Sequence, residues 1–156
     1  MIIREASIAE DDIVVRHYLE IWRSYGTPED HFSTDAKARV LAYLEEGRAH
    51  HRLKAFLALE GTEAIGSVSC QLLASPYPEV VDPARRRYGY IWSVWVLPAH
   101  RRKGMAGALM NAAIDELRRI GCTTAVLNAS EAGMRLYLQL GFKLATEMRL
   151  DLTQGP

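Results

Sequence analysis

One segment of this chain combines a buried strand, a basic turn and the start of a helix. Residues 88–97 are nearly all apolar or aromatic, as expected of a central strand that is buried on both faces. Residues 101–103 are all basic, and Gly104 then precedes a helix whose first turn is small at 106–107. Helix N-termini bind phosphate because their first N–H groups are unpaired, and glycine lets the backbone approach an anion closely. The pattern predicts a diphosphate-binding turn; the alternative is an ordinary strand-to-helix connection with solvated basic residues.

The rest of the chain predicts the elements that must position this turn. Hydrophobic spacing and turn residues indicate strands at 2–6, 53–60, 64–74, 88–97, 123–127 and 142–152. They also indicate four helices: from Ser7 or its neighbours to the break at 26–28, from Ser33 or Thr34 to Gly47, at about 104–120, and from Ser130 to Gly141. Gly66 marks a candidate β-bulge. The order β-α-α-β-β-β-α-β-α-β predicts the α/β class, with a mixed twisted sheet of about six strands flanked by four helices.

Composition excludes several classes of protein. The 156 residues suit a single domain, 1–156, and 19 basic against 19 acidic residues argue against a nucleic-acid binder. No apolar run approaches the roughly 20 residues that span a bilayer. The N-terminus lacks the apolar region of a secretory signal, and two cysteines are too few for a disulfide framework, so we expect a cytoplasmic protein. No metal is expected, because His50 and His51 have no further ligand at suitable spacing.

The basic turn resembles the coenzyme A pyrophosphate loop of the GCN5-related N-acetyltransferase (GNAT) family, Q/R-x-x-G-x-G/A. It stands here as Arg101-Arg102-Lys103-Gly104-Met105-Ala106. A second family mark, L-Y-x-x-x-G-F, is present at 136–142. One helix and one strand separate the two marks, which is the family's spacing. The resemblance is close from about Tyr88 to Leu152 and only topological before that.

The resemblance implies a role for each matching position. Acetyl-CoA is the implied cosubstrate, and Tyr137 takes the place of the general acid that protonates the leaving thiolate. The implied cofactor contacts are the backbone of Val94, Trp95 and Val96 for the pantetheine arm, Arg101, Arg102, Lys103, Gly104, Met105, Ala106 and Gly107 for the pyrophosphate, and Asn128 or Ser130 where the family often has an asparagine. Ser130 is equally well explained as the N-cap of the last helix.

The sequence departs from the family at the general base. Many members carry a carboxylate on the central strand, but 88–97 contains no Asp or Glu. Water or a loop residue must then accept the amine proton, and the loop candidates are Glu29, Asp30 and His31 in one cluster and Glu79 and Asp82 in another.

Aromatic residues crowd the central strand. Alternation places Tyr88, Tyr90 and Trp92 on one face and Trp95 on the other. They line either an acceptor pocket for an apolar or aromatic amine or the core, and Trp22 and Tyr25 are candidates to join them.

The resulting hypothesis is an acyl-CoA-dependent N-acetyltransferase in which a primary amine attacks the thioester directly in a ternary complex. A non-catalytic acyl-CoA-binding or sensory module is the main alternative, and a structural domain without a coenzyme A site is a third. The acceptor is a small-molecule or peptide amine, with no nucleic acid and no membrane as partner. A homodimer is compatible with an open sheet edge.

Overall fold

A computed structural model describes residues 2–153, and its elements follow the predicted order with one exception. The helices and strands of this part of the chain are β1 Ile2–Glu5, α1 Asp11–Ser24, α2 Ala36–His50, β2 Lys54–Glu60, β3 Glu63–Leu72, β4 Tyr88–Val96, α3 Met105–Arg119, β5 Thr124–Val126 and α4 Glu131–Gln139. Short 3-10 turns precede α1, follow the break after α1, and connect β4 to the basic turn. Among residues 2–153 no helix is long and apolar enough to cross a bilayer.

The five strands form one mixed sheet in the order β1-β2-β3-β4-β5. Neighbours are antiparallel from β1 to β4, and β4 and β5 are parallel. Side chains from α1 and α2, such as Val14 and Leu44, are buried on one face, whereas Leu109 and Met110 of α3 are buried in the cluster on the other face. The predicted α/β class, with helices on both faces of a mixed sheet, is therefore confirmed.

An inserted residue in β4 changes which side chains share a face. Ser69 pairs with Trp92 and Ser67 pairs with Trp95, so that two residues of β4 lie opposite one residue of β3. Ser93, within this insertion, has a φ of 57°, which is uncommon for a residue other than glycine. Because Ser67 and Ser69 lie on the same face of β3, their partners Trp92 and Trp95 also share a face. The prediction that Trp95 faces the opposite way was wrong, since strict alternation does not survive a β-bulge.

The predicted bulge at Gly66 is confirmed in β3. Ala58 pairs with Gly66 and Leu59 pairs with Ala64, which leaves the intervening residue without a partner across the ladder. A Cβ on Gly66 would lie 2.8 Å from the Trp95 carbonyl oxygen. Glycine is therefore required here by the close approach of the β4 backbone.

Both predicted boundaries of α2 were wrong. The residue at the N-cap position of α2 is Asp35, not Ser33 or Thr34, and its side chain makes no capping hydrogen bond. The helix also continues past Gly47 to His50. A Cβ on Gly47 would lie 2.6 Å from a methyl group of Leu53, so this glycine allows close packing and does not end the helix.

The predicted sixth strand at 142–152 is absent from the described residues, which contain five strands. Its alternation is real, but the apolar side chains of Leu144, Met148, Leu150 and Leu152 are between 80 and 93 % exposed. Alternation yields a strand only where a neighbouring edge pairs with it and a face is buried. β5 is only three residues long and pairs with β4 alone, so it provides little edge for a further strand.

His17 is a polar residue on the buried face of α1, as its spacing predicts. Its side chain is 1 % exposed, and Nδ1 lies 2.9 Å from the hydroxyl oxygen of Ser67 on β3. Burial and, to a smaller extent, the charge of the adjacent Arg16 together lower the pKa of His17 to about 4. The imidazole is therefore neutral in the folded protein at neutral pH.

Replacing His17 with glutamine is expected to remove part of the acid sensitivity of the fold. In the unfolded chain this histidine takes up a proton as the pH falls below about 6.5, whereas in the folded protein it does so only near pH 4. The unfolded state thus binds more protons between these values, and stability is lost as the pH falls through them. The free energy of unfolding, measured by denaturant titration, should fall by about 3 kcal/mol more in the wild type than in His17→Gln between pH 6.5 and 4. If the free energy of unfolding changed equally with pH in the two proteins, the lowered pKa of His17 would be contradicted.

Candidate functional site

The end of β4 that leads into the basic turn has a neighbouring strand on one side only. β5 pairs with Tyr88, Gly89 and Tyr90, and beyond Tyr90 no described strand pairs with that side of β4. On the other side, the N–H of Leu97 donates to the Ile65 carbonyl oxygen at 2.9 Å. Alternation along the strand turns the peptide groups of Val96 to the open side. An extended ligand can pair with such an edge by strand addition.

The basic turn ends at a helix start that no side chain caps. Gly104 occupies the N-cap position of α3 with a φ of 80° and no capping side-chain hydrogen bond. A Cβ there would meet nothing within 4 Å, so glycine is needed for this left-handed conformation and not for space. The N–H groups of Met105, Ala106 and Gly107 have no intrahelical acceptor at this position. The geometry fits an anion such as a diphosphate.

The three basic side chains before Gly104 are not equivalent. Arg101 donates from Nε to the Val96 carbonyl oxygen at 3.0 Å, and its guanidinium lies over the Trp95 ring at 4.7 Å. Arg101 is thus held against the end of β4. Arg102 and Lys103 are exposed, and Arg102 has a φ of 61°. Positive charge at the helix start can therefore come from Arg102 and Lys103, whereas Arg101 fixes the path of the turn.

Tyr137 lies on α4 in the same buried cluster as Val96 and Met105. The predicted acid and the predicted cofactor turn therefore share one core. The Tyr137 side chain is only 7 % exposed, and its ring lies over Gly133, one turn earlier. A Cβ on Gly133 would lie 2.6 to 2.9 Å from three atoms of the Tyr137 side chain. Burial raises the pKa of the Tyr137 hydroxyl, and the charge of a Tyr25 phenolate would raise it further, so the phenol stays protonated.

The two candidate contacts before α4 have structural partners. The Ser130 hydroxyl accepts a hydrogen bond from the Gly133 N–H at 3.2 Å, which confirms its interpretation as the N-cap of α4. Asn128 follows β5 and donates from Nδ2 to the Tyr90 hydroxyl at 2.8 Å. The Asn128 side chain thus ties the end of β5 to β4 at the last pair before the two strands separate.

The loop candidates for a general base are surface groups. Glu29 accepts a hydrogen bond from Arg23 at 2.6 Å, and this contact lowers the pKa of its carboxyl group. Asp82 accepts a hydrogen bond from the Ala84 N–H at 2.8 Å within its own loop, and Glu79 lies 3.8 Å from Arg86. Such partners favour structural roles for these carboxylates. Within the described residues no group of three His, Cys, Asp or Glu side chains is placed to hold a metal ion.

A cleft of about 870 Å³ lies along β5, α4 and the segment that follows α4. Tyr137 and Asn128 line it, but Val94, Val96 and the basic turn do not. The segment 142–149 also lines this cleft without pairing with β5. The cleft therefore occupies the place where the sixth strand was expected, and it is separate from the open edge of β4.

Two features of the site were missed at the sequence level. The first is the insertion at Ser93, for which a serine within an otherwise apolar strand was the available signal. The second is the contact between Gly133 and the Tyr137 ring. The sequence did contain an indication of this contact, a glycine four residues before a helical tyrosine, because side chains in a helix lean toward the preceding turn.

The chain matches one known protein family over most of its sequence. The sequence pattern of the acetyltransferase (GNAT) family matches residues 14–142. An L-methionine sulfoximine/L-methionine sulfone acetyltransferase of Salmonella typhimurium is 37 % identical over 65 residues, which are 40 % of this chain and 38 % of that protein. The match thus spans well under half the length of this curated relative.

Solved structures resemble the chain over nearly its whole length. A GCN5-related N-acetyltransferase from Ralstonia eutropha has a TM-score of 0.81 at 27 % identity and covers 98 % of this chain and 99 % of its own. A predicted acetyltransferase from Clostridium acetobutylicum, solved with acetyl-CoA, has a TM-score of 0.82 at 20 % identity, covering 97 % and 96 %. At that identity the second likeness concerns the fold alone.

A matched pair of glycines tests the contact under Tyr137. Gly107 and Gly133 are the third residues of α3 and α4, and a Cβ on Gly107 would meet only a Leu136 methyl group at an ordinary 3.7 Å. Alanine should therefore raise the free energy of unfolding by about 0.5–1 kcal/mol at Gly107, through helix propensity. At Gly133 it should lower that free energy by about 1–2 kcal/mol through overpacking.

A double-mutant cycle by denaturant unfolding distinguishes this contact from a general effect on α4. In a Tyr137→Ala background the ring is gone, so Gly133→Ala should become stabilising. If Gly133→Ala stabilises the otherwise unchanged protein as much as Gly107→Ala does, the Tyr137 ring does not rest on Gly133.

Proposed function

Because this chain belongs to the acetyltransferase (GNAT) family, we propose that it transfers an acetyl group from acetyl-CoA to a primary amine. The observation that carries the proposal is the open edge of β4 directly before the uncapped start of α3. A pantetheine arm has amide groups that suit a strand edge, and a diphosphate suits a helix start. The two features adjoin in the order in which coenzyme A carries these groups.

The residues that would hold acetyl-CoA follow from that order. The backbone of Val94 to Val96 would pair with the pantetheine arm, and the N–H groups from Arg102 to Gly107 would hold the pyrophosphate. Arg102 and Lys103 add positive charge, and Arg101 keeps the turn against β4. Met105 is buried, so only its N–H group is offered. Asn128, which follows β5, and Ser130, at the N-cap of α4, are proposed as secondary contacts.

The reaction requires one bond to form and one to break. Acetyl-CoA supplies a thioester, whose carbonyl carbon forms a bond with the neutral amine nitrogen as its C–S bond breaks. A backbone N–H on the open edge of β4 is fixed before the reaction and would stabilise the negative charge on the carbonyl oxygen. The Tyr137 hydroxyl would donate its proton to the departing sulfur and regain one from solvent. The amine proton goes to water, because β4 carries no carboxylate.

The absence of a carboxylate on β4 also favours a second candidate, a non-catalytic acyl-CoA-binding or sensory module. Such a module would use the same edge and helix start for acyl-CoA and would leave Tyr137 without a proton to donate. The two candidates differ in turnover and not in coenzyme A binding. Thiol release from acetyl-CoA, measured with a panel of amines, therefore distinguishes them.

Tyr137→Phe is expected to lower kcat by about 100-fold, the usual contribution of a positioned proton donor. The KM for acetyl-CoA should stay within about twofold, because the ring remains in place and only the hydroxyl is lost. Steady-state thiol release gives both constants. Tyr77→Phe, which removes an exposed hydroxyl that accepts from Arg86, is the matched control and should leave both unchanged.

Two other outcomes would contradict parts of this proposal. An unchanged kcat for Tyr137→Phe would remove Tyr137 from the mechanism. Saturable binding of acetyl-CoA with no thiol release for any amine would replace the proposed enzyme by the sensory module.

A further inference from the structure

Five aromatic rings form a continuous row, which we call the aromatic row; it runs from Tyr25 at the end of α1 through Trp92 on β4 to Tyr43 on α2. Ring centroids are 6.0 Å apart for Tyr25 and Trp22, 6.4 Å for Trp22 and Tyr18, 5.4 Å for Tyr18 and Trp92, and 5.3 Å for Trp92 and Tyr43. Every pair is edge-to-face, with planes 78° to 89° apart. Such pairs are favourable, so the rings hold one another in fixed orientations.

The end of the aromatic row at Trp92 and Tyr43 has a structural role. Trp92 is flanked by rings from α1 and α2 and donates from Nε1 to the Gln71 side-chain oxygen at 3.2 Å. The Gln71 amide in turn donates to the Tyr43 hydroxyl at 3.2 Å. These hydrogen bonds give the Trp92 indole N–H and the Tyr43 hydroxyl partners within the protein. This part of the row therefore packs α1 and α2 against the sheet.

The Trp22–Tyr25 end of the row is exposed. Trp22 is 43 % and Tyr25 is 58 % exposed. Contiguous exposed aromatic surface is typical of a ligand or partner site. The row therefore connects this exposed surface with Trp92 on β4, the strand along which the proposed acyl donor would lie.

The charges near the exposed end favour a ligand with a single positive charge. Arg23 lies between Trp22 and Tyr25 in the sequence and bonds to Glu20 at 2.9 Å and to Glu29 at 2.6 Å. One guanidinium balances only one of these two carboxylates, so Arg23, Glu20 and Glu29 together keep a net charge of −1, which suits one ammonium group. Aromatic faces attract one ammonium group and pack well against another ring.

We infer that Trp22 and Tyr25 bind the apolar body of the amine acceptor, and that the acceptor is a primary monoamine carrying an aromatic ring. The turnover part of this inference rests on the proposed acetyltransferase function, but the binding surface does not. A polyamine or a small polar amine would leave both rings exposed to water and gain little from them.

Two measurements with 2-phenylethylamine as the probe test the inference. The first is kcat/KM from thiol release, compared with ethanolamine and spermidine, and it should be at least about tenfold higher for 2-phenylethylamine. The second is binding of 2-phenylethylamine in the presence of coenzyme A, by calorimetry. Trp22→Ala and Tyr25→Ala should each weaken binding and lower kcat/KM for this amine about tenfold, with the KM for acetyl-CoA unchanged.

Matched variants separate a binding role from damage to the fold. Trp22→Phe keeps a ring and should retain most of the activity, and Tyr77→Ala removes an exposed tyrosine outside the row and should have no effect. Turnover of spermidine or ethanolamine as efficiently as 2-phenylethylamine would overturn the inference while leaving the acetyltransferase proposal standing. If 2-phenylethylamine binds in a manner that depends on Trp22 but no amine is acetylated, the proposed binding surface would be supported and the proposed acetyltransferase function would be contradicted. No binding and no preference would overturn the inference outright.

Discussion

The residue inserted into β4 opposite β3 is the constraint on which the site depends. It places Ser93 at a φ of 57°, a left-handed conformation that costs about 1–3 kcal/mol in a residue other than glycine. Neighbouring groups fix it, since Ser69 and Ser67 pair with Trp92 and Trp95 on either side. A bulge bends the strand and increases its twist. β4 accordingly pairs with β5 over only its first three residues, and its end is open on that side.

The same insertion organises the surroundings of the open edge. It brings Trp92 and Trp95 to one face, where Trp92 joins the aromatic row and Trp95 lies under the Arg101 guanidinium. Arg101 then bonds to the Val96 carbonyl oxygen and directs the chain into the turn that precedes α3. The open edge thus follows from one local irregularity, and Arg101 holds the uncapped helix start next to it. An overall charge of zero is compatible with this, because the positive groups are concentrated at Arg102 and Lys103.

Sequence patterns predicted most of the fold because the relevant signals were local. Hydrophobic periodicity located the helices and five of the six strand candidates, and the strand–basic turn–glycine pattern located the candidate cofactor site. Features that depend on a second segment were not accessible in this way. The face of Trp95 depends on the register of β3 and β4, the continuation of α2 past Gly47 depends on Leu53, and 142–152 lacked a partner edge despite its alternation. The position of the Tyr137 ring likewise depends on Gly133, whose role only the folded helix reveals.

Amide hydrogen exchange with and without acetyl-CoA tests the central claim most directly, because it reports on the individual N–H groups assigned to the cofactor. The open edge of β4 and the helix start predict slower exchange at Val96 and at Met105 to Gly107 when acetyl-CoA binds. The Leu97 N–H, already bonded to Ile65 across the ladder, serves as the internal reference and should change little. The account would be contradicted if acetyl-CoA binding left the exchange rates at Val96 and 105–107 unchanged and slowed exchange along the β5 cleft instead.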